Sequence, residues 1–230
     1  MGNEEKEKNE VSFINSFIPQ NISNETAISF FDSLRKIKTF NKDKYKDNLV
    51  KNNKSYEKHI KSIEQNNGYI EDQHLYKDMF YGIKTIDYNG CGVISVFNAM
   101  KDLTGKSEMN LPLIIDYFEE DGITLSGIFG TAPTAIEEFF IKQGFKTISS
   151  KKEEDFEQIG KNNDSFILTF YNDKNNIFKA VHTINVSKKD GKFIGHNNGK
   201  CFKSYNSITE LIHDGNSQAI FLIGIKKNNS

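Results

Sequence analysis

The chain has 230 residues, enough for one ordinary domain or one domain with an extension. Apolar residues make up 37% and aromatic residues 12%, with no long apolar run, which describes a soluble globular protein and excludes a membrane-inserted one. A formal charge of −1, with lysines interleaved among acidic residues, excludes a nucleic-acid footprint and a polybasic membrane anchor.

The opening MGNEEKEKNE is charged and lacks an apolar h-region, so no secretory signal is expected and the cytoplasm is the default compartment. Residues 1–22 read as loosely attached chain. Asn24 can cap a helix through about Phe40, with Ile28, Phe31, Leu34 and Lys38 near one another on a face. Residues 41–68 are dominated by Lys, Asn, Asp and Glu, with few apolar anchors, and read as a weak helix or a linker. Residues 1–79 therefore form a polar, partly helical N-terminal extension, ahead of a main domain over 80–230.

Beyond residue 80 the texture changes. Val93, Val96, Phe97, Met100 and Leu103 recur at helical spacing until Gly105. Pro112 opens a second helix ended at Gly122, and Thr131 and Pro133 open a third stopped by Gly144. Ser150 and Glu153 form a capping-box pattern before a short helix with Phe156 and Ile159. The period then switches: 165–172, 179–187 and 192–198 are strands rich in β-branched and aromatic residues, the last two joined by KKDG, a hairpin signal. A short helix near 207–215 and a strand over 218–226 finish the chain. Helices first and antiparallel strands later make an α+β layout.

The segment Asp87-Tyr88-Asn89-Gly90-Cys91-Gly92-Val93 carries the sharpest chemical signal. A thiol at a helix N-terminus feels the positive end of the macrodipole, which favours the nucleophilic thiolate. His182 sits inside a strand, and the following strand returns His196-Asn197-Asn198 beside it. An imidazole base needs a partner on its second nitrogen, and a side-chain amide can serve. A two-residue Asp190-Gly191 turn makes Asn197 a diagonal neighbour of His182, and a four-residue loop puts Asn197 directly opposite. A three-residue turn with a Gly bulge brings Asn198 instead.

Cys, then His, then Asn, with helices before strands, resembles the papain-like cysteine peptidases. More closely, YNGCGVISVFNAM and VHTINVSKKDGKFIGHNNG resemble the nucleophile helix and His hairpin of the bacterial C39-like peptidases, whose relatives include the double-glycine leader peptidases. The resemblance covers about residues 80 to 226. It implies a papain-like catalytic domain over 80–230 with Cys91 as nucleophile, His182 as base and Asn197 orienting the base. One position departs. Those families usually place an oxyanion-stabilising Gln six residues before the cysteine, and Thr85 stands there. Asn89 is the residue whose amide could substitute.

Other motifs carry less. GIFGTAP (127–133) lacks the Lys and spacing of a P-loop and reads as a turn or cleft wall. His59, His74, His196 and His213 have no metal-ligand spacing, so neither a metal nor another cofactor is expected. Cys91 and Cys201 form no disulfide framework, and Cys201 reads as a packed thiol. The expected function is thiol-dependent hydrolysis of an amide in a peptide or protein substrate. Acyl transfer through the same pair, and a non-catalytic peptide-binding module on the same fold, are the alternatives.

Overall fold

A computed structural model of the chain describes residues 23–37, 42–105, 109–171, 181–199, 203–214 and 217–227. Residues 1–22 and Cys201 lie outside the described residues. Ser23 caps helix α1 (Asn24–Arg35) by accepting the Thr26 N–H, and Ala27, Ile28 and Phe31 are buried in the main core. Helix α2 (Lys42–Gln65) is anchored by polar groups, because Asn48, Asn52, Ser55 and His59 recur on one face. Asn48 Nδ2 donates to Gly82 O at 3.0 Å, and Ser55 Oγ donates to Asp78 O at 3.0 Å. Between them, Asn52 both donates to Phe80 O at 2.8 Å and accepts the Phe80 N–H at 2.7 Å. His59 completes the row by donating to the Asp78 carboxylate at 2.8 Å.

The extended segment held by that row forms a small hairpin, β1 (Phe80–Tyr81) with β2 (Lys84–Thr85), and leads into α3 (Ile86–Asn89) and α4 (Cys91–Thr104). Gly105 ends α4 in a left-handed C-cap, with φ 80°. Next come α5 (Leu111–Glu120), capped by Asn110, and α6 (Pro133–Lys142). Strand β3 (Lys146–Ser150) precedes α7 (Phe156–Asn162), β4 (Ser165–Tyr171), β5 (Val181–Lys189) and β6 (Lys192–His196). Strand β7 (Ser204–Tyr205), α8 (Ile208–His213) and β8 (Gln218–Lys226) complete the order.

Six strands form one antiparallel sheet in the order β3-β8-β4-β5-β6-β7, with β8 inserted between β3 and β4. The α+β expectation holds at this level. Strands β4 and β8 are buried on both sides, because helices cover both faces of the sheet. One apolar cluster joins α1, α4, α5 and α6 to Ile167, Tyr171, Phe221, Ile223 and Ile225. A second joins α7 and α8 to Phe166, Leu168, Ile184, Val186, Phe193 and Leu222.

One expectation needs revision, and one alternative is decided. The presumed extension does not stand apart over its described part, since Ala27, Ile28, Phe31, Ile63, Ile70, Tyr76 and Met79 share the first cluster with α4. Of the two alternatives for 41–68, the described part takes the helix rather than the linker, as a 24-residue helix continuous to Gln65.

Candidate active site

The glycines around Cys91 are required by packing. A Cβ at Gly90 would sit 2.6 Å from Ile86 Cγ2 and 2.7 Å from Ile86 O, so only glycine lets α3 turn into α4. A Cβ at Gly92 would sit 2.7 Å from the Thr131 side chain, which presses on the first turn of α4. This geometry leaves Cys91 partly exposed at the helix N-terminus.

Strand β5 brings His182 to the sulfur. Helix α4 packs on β4 and β5, and the Ser95 hydroxyl is shared between Cys91 O at 2.6 Å and Thr183 O at 2.8 Å. That bond ties the first turn of the helix to the strand one residue past His182. The Cys91 thiol and the His182 imidazole lie close enough to influence each other's ionisation, as do backbone groups of Thr183 and Gly92 beside the sulfur. Burial pushes the Cys91 thiol up, but the His182 imidazole and its charge, with these backbone groups, outweigh it and hold the thiol below its ordinary value. Burial likewise pushes His182 down, and the neighbouring Cys91 with the bond to the Asn197 backbone brings it above the ordinary imidazole value. Opposite shifts on the two partners favour a thiolate–imidazolium pair.

The far side of the imidazole is held by residue 197, through a different atom from the one expected. Asp190 and Gly191 have φ 51° and 75°, so the hairpin takes the two-residue turn, and pairing runs from Lys189↔Lys192 to Asn185↔His196. There it stops, because Asn197 adopts a left-handed conformation with φ 59°. The turn delivers its main-chain carbonyl to His182, whose Nε2–H donates to Asn197 O at 2.7 Å. A carbonyl can only accept, so Nε2 carries the proton and Nδ1 is left for the sulfur. The Asn197 carboxamide points elsewhere: Nδ2 donates to Gln73 Oε1 and Oδ1 accepts the Gln73 N–H, both at 3.0 Å. Asn198 lies against Gly195, where a Cβ would meet its amide. The Phe170 ring stands edge-on to the imidazole, with centroids 5.7 Å apart.

Asn89 is not free to hold an oxyanion. Its Nδ2 donates to Tyr81 O at 3.1 Å and to Gly127 O at 2.5 Å, which uses both N–H groups to pin the turn before Cys91 to neighbouring backbone. Thr85 Oγ1 donates to Asp87 within its own turn. Gly127–Thr131 is the wall behind this turn, and the Thr131 hydroxyl pairs with Tyr81 OH at 2.8 Å.

Sequence reasoning missed Glu71 and Gln73, which sit in the presumed extension, and it left His196 among scattered polar residues. Glu71 Oε1 accepts from His196 Nδ1 at 2.6 Å, and Glu71 Oε2 accepts the Asn197 N–H at 3.2 Å. All four residues are buried. No periodicity links positions 71–73 to 196–197, so only a contact between distant segments could reveal them. Among the described residues no helix is long and apolar enough to cross a membrane. Neither a protein-family model, nor a curated protein, nor a solved structure matches this chain, so its own residues carry the functional argument.

Proposed function

We propose that the protein is a thiol-dependent amide hydrolase of the cysteine-peptidase type, on a papain-like framework similar to that of the bacterial C39-like peptidases. The observation that carries this reading is the Cys91–His182 pair at the N-terminus of α4, with the second imidazole nitrogen engaged by Asn197 O. The Cys91 thiolate attacks the carbonyl carbon of a peptide bond, and the carbonyl π electrons move to oxygen. Backbone N–H groups in the first turn of a helix suit that oxyanion, and neither Thr85 nor Asn89 supplies a side-chain amide for it. His182 gives its Nδ1 proton to the leaving amine as the C–N bond breaks, leaving a thioester. Water then attacks the thioester while His182 takes its proton, releasing the acid and restoring the pair.

Alkylation by iodoacetamide across pH, followed at Cys91 by peptide mass, tests the pair. Fast reaction well below pH 8 is expected, with that advantage lost in His182→Ala. A Cys91 that reacts no faster than an ordinary thiol would remove the main support. Cys91→Ala is expected to fold normally and to show no turnover on a peptide library.

A second reading is a non-catalytic peptide-binding module. It is favoured by the absence of an amide donor from Thr85 or Asn89. It requires that the wild-type protein retain peptides without cleaving them, and that His182→Ala leave the Cys91 alkylation rate unchanged.

A further inference from the structure

Gln73 reaches the chain ahead of Cys91 and the loop behind His182 without touching either residue of the pair. It opens a single-turn 3-10 helix, Gln73–Leu75, capped by Asp72. Its Nε2 donates to Asp87 O at 3.0 Å, in the short helix that leads into the cysteine turn. On its other side, its Oε1 and backbone N–H close a two-bond ring with the Asn197 carboxamide, each bond 3.0 Å. Asn197 O is the acceptor for His182 Nε2–H. The chain before the nucleophile and the loop that orients the base therefore meet at one side chain.

The surroundings make this bridge stiff. Gln73 is 8% exposed and Asn197 6% exposed, so these amides do not exchange partners freely with water, and losing one strands a buried polar atom. Glu71 secures the same loop by its bonds to the Asn197 N–H and to His196. His196 Nε2 lies 2.9 Å from Ser187 Oγ, so Ser187, His196 and Glu71 form a row with the distances of a second catalytic triad. All three side chains are buried, and the Tyr69 ring stacks on His196 at 3.9 Å, so the row serves as a support that substrate does not reach.

We propose that Gln73 is a positioning residue that sets the spacing of the Cys91 thiol and the His182 imidazole, by tying the chain ahead of α4 to the loop whose carbonyl orients the base. The proposal rests on reading that pair as catalytic. A misplacement of about 1 Å is enough to cost a catalytic geometry roughly a hundredfold, so a bridge between two distant segments has chemical consequences.

Gln73→Glu and Gln73→Ala test it, with two readouts besides thermal unfolding: the pH profile of Cys91 alkylation, and the His182 ring N–H resonance by 1H–15N NMR. Gln73→Glu keeps an acceptor for Asn197 Nδ2 and has no donor for Asp87 O, so it carries the test should Gln73→Ala fail to fold. The expected result is an alkylation inflection raised by about one unit, a roughly tenfold loss of thiolate at low pH, with faster exchange of the His182 Nε2–H. A folded variant with a lower Tm but an unmoved Cys91 profile overturns the proposal, since a merely structural residue behaves so. Should wild-type Cys91 titrate as an ordinary thiol, the catalytic reading falls and the NMR readout decides the bridge alone. In that case an Nε2–H signal lost in Gln73→Glu supports the bridge, and one retained overturns it.

Discussion

The backbone conformation at position 197 matters more to the imidazole than the carboxamide does, because His182 donates to the carbonyl and the side chain acts through the shape it enforces. Asn tolerates left-handed φ better than most residues, and Gly tolerates it best. Asn197→Gly should keep the turn and lose the bonds to Gln73, whereas Asn197→Ala loses the same bonds and adds about 1 kcal/mol of backbone strain. Unfolding in urea, with Cys91 alkylation at pH 6 alongside, should rank wild type above Gly and Gly above Ala. Equal impairment in the two variants would return the role to the carboxamide. The hairpin signal and the polar run after it placed residue 197 beside His182 in two of three registers. The atom used depends on where pairing ends, which no alternation pattern encodes.

Helix α2 shows why an element can be strong and still read as weak. Its inner face is a polar series, Asn48, Asn52, Ser55 and His59, which bonds the 78–82 segment where an apolar stripe would ordinarily pack. Apolar periodicity is the usual helix signal, and such a helix lacks it. Asn52→Ala removes both bonds to Phe80 and should cost about 1–3 kcal/mol by urea unfolding. Asn53→Ala, on the exposed face, should cost much less, and equal losses would rule out the polar row as the anchor. Strand β3 went unrecognised for a related reason. Thr147 and Ser149 bond Glu137 on α6 while Ile148 is 53% exposed, so its apolar and polar positions are inverted relative to a half-buried strand.

At the scale of the molecule, the described residues of the first third are part of the fold. Arg35 at the end of α1 clamps Asp121 and Glu138, and α2 meets α5 through Asn48 and Glu119. Glu119 is 1% exposed. Its Oε1 accepts from Asn48 Nδ2 and Gly82 N, and its Oε2 has no partner among the described residues. Burial is the largest influence and raises this carboxyl to about 8, against partial relief from the two hydrogen bonds. A raised carboxyl makes the folded state bind a proton that the unfolded state has released. Its contribution to stability is therefore whole below pH of about 4.5 and falls by about 1.4 kcal/mol per unit as pH rises toward about 8. Glu119→Gln should flatten the fall in unfolding free energy between pH 5 and 8. A slope identical to wild type would show that Glu119 is ionised in the fold.

The helices after residue 90, the strand-rich second half and the turn at Asp190-Gly191 are local properties, written in apolar period and in the conformational freedom of glycine, so sequence alone determined them. The order Cys91, His182, Asn197 was legible for the same reason, since each residue stands at a readable helix start, strand or hairpin. Tertiary structure alone decided that β8 enters between β3 and β4, and that described residues before 80 share a core with α4. It also decided that Glu71 and Gln73 hold the loop behind His182. Those outcomes depend on polar bonds between segments far apart in the chain, and hydrogen-bond partners at that distance leave no periodic trace.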